Sequence, residues 1–390
     1  MTLTNAEKMI ANAAAADSTE NLGALLKQIG NPEKKLGIIK VMGESGKSSV
    51  CALLSAVLSA AGYRVGRLVT PVIHSTPTSI CVCERPISID LFTDSASTVH
   101  KAVAELKKNS DGELAFSGND LLFATAFTAF CDAECDFAVI EIPTDNISHT
   151  TFSKPLISVI TTIHEASVAR DICARLDRDG GEVITAIQSR EVYNVIFNKC
   201  AEINCRLTMP LKNAFHFMAS TVKRMDFTYR GIAHTVACGA IYQTDNLLTV
   251  FEATDALKRC GLKILGTDIC SAVLGEGIPL RFEPISVMPA IIVDRADTKS
   301  RRAALISSLK KAEGFISKNP LVICEQKKRV IREDFIAVGF ELNDVEIPIQ
   351  SARKDLRPIL KSLNESDTVI VLGSSKYCES IAKIIKEILM

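Results

Sequence analysis

The sequence predicts an α/β protein: a central domain built on a parallel-rich sheet, then a smaller α/β domain. Three observations carry this. A short apolar run, Leu36 to Lys40, leads into Val41-Met42-Gly43-Glu44-Ser45-Gly46-Lys47-Ser48-Ser49 and on into Val50 to Leu58, a pattern long enough for a helix. Buried-type strands then alternate with helical patterns as far as Ile163, which implies a parallel sheet covered on both faces. Beyond Ile285 to Pro289 the strand–helix pattern restarts over about a hundred residues, a common domain size. A chain of 390 residues exceeds one typical core, so the expected division is 1–284 and 285–390.

The glycine loop is the chemical centre. Gly43 and Gly46 let the backbone turn tightly, so successive N–H groups and a helix N-terminus point at a phosphate. Lys47 adds a point charge for the terminal phosphates. The hydroxyls of Ser48 and Ser49 are placed to cap the helix or to touch a Mg²⁺ ion, and Ser45 completes the cradle. An ordinary Gly/Ser turn with a helix cap is the plainer alternative, which the strand–loop–helix context disfavours.

Along the chain, residues 4–16 and 19–29 predict two helices, with Ser18 capping the second. A strand at Gly62 to Val69 ends in Thr70-Pro71, and Ser79 to Cys83 with Ile87 to Ile89 suggests a hairpin around Glu84-Arg85-Pro86. Helical patterns occupy Ala96 to Lys108 and Asn119 to Cys131. Strands follow at Phe137 to Glu141 and Ile157 to Ile163, a helix at Glu191 to Ile203, a hairpin at Phe227 to Ala237, and a helix at Asn246 to Cys260. The last hundred residues read as strand Ala290 to Val293, helix Ser300 to Glu313, strands Leu321 to Cys324 and Phe335 to Val338, helix Asp355 to Leu363, strand Thr368 to Leu372 and helix Tyr377 to Leu389. Ligands of such sheets bind at the carboxyl ends of strands, where Gly43 to Ser49, Thr70, Glu141 and the segment after Ile163 all fall. A hydroxyl and a carboxylate on neighbouring strand ends are what a hard cation needs, so Ser48, Thr70 and Glu141 are the Mg²⁺ candidates.

Lys plus Arg equals Asp plus Glu at 45 each, so no global field favours nucleic acid or an anionic membrane. The N-terminus lacks a basic stretch followed by an apolar one, and no apolar run reaches a membrane span, so a cytoplasmic location is expected. The thirteen cysteines are scattered, and neither Cys81/Cys83 nor Cys131/Cys135 is followed by a partner pair at zinc spacing. Free buried thiols are expected. The absence of Trp argues against a base-stacking surface.

With these pieces placed, the chain resembles the folylpolyglutamate synthase/dihydrofolate synthase branch of the Mur ligase family, as a divergent member. The short G-x-x-G-K-[ST]-[ST] loop matches that family's G-T-N-G-K-G-S, and Val69-Thr70-Pro71-Val72 stands at its T-S-P-H. Lys154 to Thr161 is similar to P-x-x-S-V-I-T, and Tyr242-Gln243-Thr244-Asp245-Asn246 to H-Q-x-x-N. Pro279-Leu280-Arg281-Phe282-Glu283 is similar to P-G-R-F-E, and Asp294 to Thr298 to D-G-A-H-N. The resemblance implies a P-loop Mur-ligase-like fold whose smaller domain is Rossmann-like, with ATP and Mg²⁺ as cofactors. It implies Lys47 and Glu141 in catalysis, Gly43 to Ser49 with Asn246, Arg281 and Asp294 at the nucleotide, and Asn246 near the adenine. The implied chemistry joins a small-molecule carboxylate acceptor to an amino-acid or amine donor. A nucleotide-binding homologue without ligase activity, acting as a partner subunit of another protein, is the alternative, and a different P-loop kinase a third.

Departures from the family pattern cluster on other roles. Ile142-Pro143-Thr144-Asp145-Asn146 replaces G-L-G-G-R, Ala166-Ser167 replaces the D-H pair that supplies a second metal ligand, and no clear K-A-G-I equivalent appears around Arg178 to Gly181. Val72 and Asp297 stand where the family has histidines. Glu165 and Asp145 are conceivable substitutes at the second metal. The family's pterin-contacting E-R-I loop is barely recognisable, so first-metal roles keep candidates while second-metal and pterin roles do not, which predicts weak or absent folate glutamylation.

Overall fold

The computed structural model describes residues 1–13, 19–70, 76–110, 114–143, 154–176, 181–275, 280–312, 314–325, 328–341 and 343–390. Ser18, Pro71, Val72, Thr144 to Asn146, Arg178 to Gly180 and Pro279, singled out above, lie outside them. The chain divides into two compact units, 1–210 with 245–272, and 211–244 with 273–390.

The first unit holds an eight-stranded sheet: β1 (Gly37–Met42), β2 (Val65–Leu68), β3 (Ile80–Val82), β4 (Arg85–Pro86), β5 (Phe137–Glu141), β6 (Ile157–Ile160), β7 (Glu182–Thr185) and β8 (Arg206–Thr208). Their order is β4-β3-β2-β5-β1-β6-β7-β8. From β2 to β8 the pairings are parallel, and β3 and β4 add an antiparallel edge. The hairpin turns through Cys83 and Glu84, both left-handed, so its second strand is Arg85-Pro86 and the helix Ile89–Asn109 begins where a strand was expected. Ser88 accepts a hydrogen bond from Leu91 N and caps that helix earlier than the apolar pattern suggested.

β1 lies between β5 and β6, with Val41 opposite Glu141 and Met42 opposite Ile160. The chain leaves β1 towards β2 on one side and returns to pair β6 on the other. That order opens a crevice at the carboxyl ends of β5, β1 and β6. The helix Gly118–Asp132 is apolar nearly all round, with Phe123, Phe127 and Phe130 fully buried, because sheet and N-terminal helices cover it from different sides. The ring of Phe130 lies where a Cβ at Gly66 would be, while Ile10, Leu22 and Leu26 of the helices Leu3–Ala11 and Thr19–Gln28 join the same core.

The second unit contains an antiparallel sheet of β9 (Phe215–Ser220), β10 (Met225–Tyr229) and β11 (Ile232–Val236). It also contains a five-stranded sheet of β12 (Glu283–Val287), β13 (Ala290–Asp294), β14 (Leu321–Cys324), β15 (Asn343–Glu346) and β16 (Thr368–Leu372). The order of the latter is β12-β13-β16-β14-β15, parallel except for β12. A division at 284/285 falls inside β12, whose residues pair with β13. One expectation is corrected: Phe335 to Val338 is not a strand. Phe335 ends a helix, Lys328–Ile336, in which Ile331 and Phe335, one turn apart, are both buried, and the strand follows at β15. Among the described residues no helix is long and apolar enough to cross a membrane.

Candidate nucleotide-binding site

The first unit brings Gly43, Ser45, Gly46, Lys47, Ser48, Ser49, Thr70, Glu141 and Asn246 to one end of its sheet. The loop leaves β1, and the helix Lys47–Ala60 begins immediately after Gly46, its N-cap in left-handed conformation at φ +95°. Gly43 is also left-handed, at φ +131°. Both positions are crowded as well as twisted. A Cβ at Gly43 would overlap Thr161 Oγ1 and lie 3.0 Å from Thr161 N and O, and one at Gly46 would overlap Asn246 Oδ1. Glycine is therefore required twice over, for backbone conformation and for close approach.

Ser48 Oγ donates to Glu141 Oε2 at 2.9 Å, linking the helix's first turn to the end of β5. Thr70 Oγ1 donates to the main-chain oxygen of Glu141 at 3.3 Å, so the third proposed metal ligand borders the same residue through its backbone. Glu141 and Thr70 are each 3% exposed. Two hydroxyls and a carboxylate are hard oxygen donors of the kind that suits Mg²⁺, and the chemistry of this set fits that ion. Lys47 Nζ donates to Gly43 O at 2.7 Å, which holds the ammonium over the loop. Burial, and then the charge of Glu141, push the neighbouring Cys51 thiol well above its ordinary range, so it is no nucleophile. Every cysteine of the chain is a free thiol; eight are buried, but Cys260 and Cys270 are exposed, which corrects the expectation that the thiols are buried throughout.

The sequence reading missed the residues that brace the loop from the β6 side. Thr161 N and Oγ1 both donate to Met42 O, at 2.8 and 3.1 Å. Gln188 Nε2 donates to Thr161 O at 2.9 Å and to Thr185 Oγ1 at 3.0 Å, while its oxygen accepts from Ile163 N at 3.1 Å. Gln188 follows β7, whose short apolar stretch gave no strand signal, though a polar residue just past a strand end is the available clue. Glu165, conceived above as a metal substitute, is exposed and accepts from Ser167 Oγ at 3.2 Å. Among the described residues no group of three or more His, Cys, Asp or Glu side chains is arranged to hold a metal.

Arg281 and Asp294 lie in the second unit and form a cluster there. Asp294, at the end of β13 and 1% exposed, accepts from Tyr242 Oη at 2.5 Å and from Phe282 N at 2.8 Å. Burial raises its carboxyl above the usual range, against the opposing pull of Tyr242 and Arg281. Burial, then the charge of Asp294, lifts the Tyr242 phenol well above its ordinary value. Arg281 Nη1 donates to Arg295 O at 3.4 Å. Tyr242 as the partner of Asp294 had no sequence signal, since 52 residues separate them.

No family model matches the chain. It is similar to the dihydrofolate synthase/folylpolyglutamate synthase of Bacillus subtilis, 28% identical over 388 residues, covering 90% of this chain and 88% of that protein. It is also similar to the dihydrofolate synthetase of Saccharomyces cerevisiae, 26% identical over 200 residues, 47% of this chain but only 45% of that protein. The fold is that of folylpolyglutamate synthetase from Lactobacillus casei, with a TM-score of 0.84 at 20% identity over the whole of both chains. A folylpolyglutamate synthase complex with AMPPCP and folate gives 0.80 at 21% identity, again over the whole of both.

Proposed function

We propose that this chain, a divergent relative on the dihydrofolate synthase/folylpolyglutamate synthase branch, is an ATP-dependent ligase that forms an amide between a small-molecule carboxylate and an amine. The observation that carries the reading is the Ser48–Glu141 hydrogen bond at 2.9 Å beside a glycine loop bearing Lys47. That arrangement puts an N-terminal helix end, an ammonium and a hard-oxygen pair around one point. Relatives that carry the synthase name, and a folylpolyglutamate synthase complex with AMPPCP and folate, support the assignment.

In this reading the backbone at the start of the helix, residues 46–49, cradles the phosphates, and Lys47 leaves Gly43 O to neutralise the transferring group. Ser48, Thr70 and Glu141 hold Mg²⁺, which supplies charge neutralisation at the phosphates when bound. Asn246, packed against Gly46, borders the nucleotide. A substrate carboxylate oxygen attacks the γ-phosphorus and ADP leaves, which gives an acyl phosphate. The amine then attacks the acyl carbon, phosphate departs with the bonding pair, and the nitrogen loses a proton.

One observation favours the second reading, a nucleotide-binding homologue without ligase activity that serves a protein partner. Ala166 and Ser167 open the helix Ala166–Cys173 at the place where the resemblance calls for a metal-binding pair. The two readings separate in an assay of ADP release from ATP alone and with dihydropteroate or tetrahydrofolate, or another carboxylate, plus glutamate. Release stimulated by an acceptor–donor pair and lost in Glu141→Ala supports the ligase. Nucleotide binding without stimulation by any pair supports the second reading.

A further inference from the structure

The segment after β6 carries a histidine that the reaction above leaves unused. His164 is exposed, and its Nε2 lies 3.1 Å from Ser45 Oγ in the phosphate loop. Its backbone N–H donates to Glu44 Oε2 at 2.6 Å, while Thr162 O accepts from both Glu44 N and Ser45 N at 3.1 Å. The loop is thus tied to the β6 segment by backbone, carboxylate and imidazole together. A carboxylate at the second position of a phosphate loop repels its own ligand, and here the Glu44 charge is drawn onto a backbone N–H at the loop's flank. The amides of Glu44 and Ser45 donate to Thr162, so the polar groups this flank presents are the Ser45 hydroxyl and the imidazole joined to it.

Position decides which phosphate this pair meets. Glu141 ends β5 and His164 follows β6, the two strands that flank β1, so the two residues stand on opposite sides of the loop. Lys47 and Ser48 serve the terminal phosphates in a loop of this type. A terminal phosphoryl group held by them would have Glu141 with its hydroxyl partner on one side and His164 on the other. Imidazole offers an N–H donor whether neutral or charged, and a hydrogen bond to an ionic oxygen is among the stronger ones.

We infer that His164, oriented by Ser45, donates to the terminal phosphoryl group of a bound nucleoside triphosphate and makes the site prefer triphosphate to diphosphate. This rests on the nucleotide site proposed above. The test is calorimetric titration of the full chain and of His164→Ala with AMPPCP and with ADP, each with Mg²⁺. Loss of one charge-assisted hydrogen bond weakens AMPPCP binding about tenfold or more and leaves ADP within about twofold. His164→Gln, which keeps an N–H donor, retains part of the difference. An equal loss for both nucleotides, or none for AMPPCP, overturns the role of His164 while leaving the site standing. Binding of neither nucleotide to the unaltered chain overturns the site and this role with it.

Discussion

Replacing Gly43 by alanine tests whether the loop is locked to the β6 side as described. The new Cβ would overlap Thr161 Oγ1 and meet Thr161 N and O at 3.0 Å. None of these atoms is at liberty to withdraw: N and Oγ1 are bonded to Met42 O, and O accepts from Gln188. Holding a non-glycine residue at φ +131° costs roughly 1–3 kcal/mol, and prising apart packed segments roughly 1–3 more. Gly62 provides the reference, since it has φ +87° but nothing within 4 Å of a built Cβ. Gly62→Ala therefore carries only the conformational cost, about 1–2 kcal/mol. Urea unfolding of the three proteins, followed by far-UV circular dichroism, compares midpoints at a common slope. Gly43→Ala should be the less stable variant by at least about 1 kcal/mol. Equal midpoints for the two variants would refute the close approach of the loop to Thr161.

Two further outcomes follow from buried polar groups. Tyr242→Phe removes one of the two donors to the buried Asp294 carboxyl and should lower stability by about 1–3 kcal/mol in the same urea experiment; an unchanged midpoint would show that the phenol is not holding that turn. Glu33 is buried and its Oε2 meets no hydrogen-bond donor among the described residues, so burial raises its carboxyl above the usual range. The folded state then binds the Glu33 proton more tightly than the unfolded chain, and this group's contribution to stability falls as pH rises from its unfolded value through its folded one. Glu33→Gln should accordingly be more stable than the parent at pH 7, with the difference shrinking towards pH 4; a gain that is constant with pH would contradict an ionising Glu33.

The sequence revealed the parts of the site that are local. The strand–loop–helix around Gly43 to Ser49 reads directly because turn chemistry and apolar pattern sit within two dozen residues, and Glu141 reads because a carboxylate ends a wholly apolar strand. What the sequence could not reveal is which distant groups meet. Thr161 against Gly43, His164 against Ser45, and Tyr242 on Asp294 are tertiary contacts with no spacing to betray them. Short or ambiguous runs failed for a different reason. The three apolar-to-β-branched residues Val183 to Thr185 are too few to mark β7, and Phe335 looked like a strand start because its helical partner Ile331 lies in a charged stretch.

The nucleotide site itself is tested most directly by isothermal titration of the full chain and of Lys47→Ala with ADP and Mg²⁺, with thermal unfolding to confirm that the variant is folded. Lys47 is partly exposed and donates to Gly43 O, four residues before it. Saturable binding by the unaltered chain that disappears in folded Lys47→Ala is the expected result, because the ammonium is the loop's own counter-charge for the phosphates. Equal affinity in the two proteins would contradict the assignment of residues 43–49 as a phosphate-binding loop.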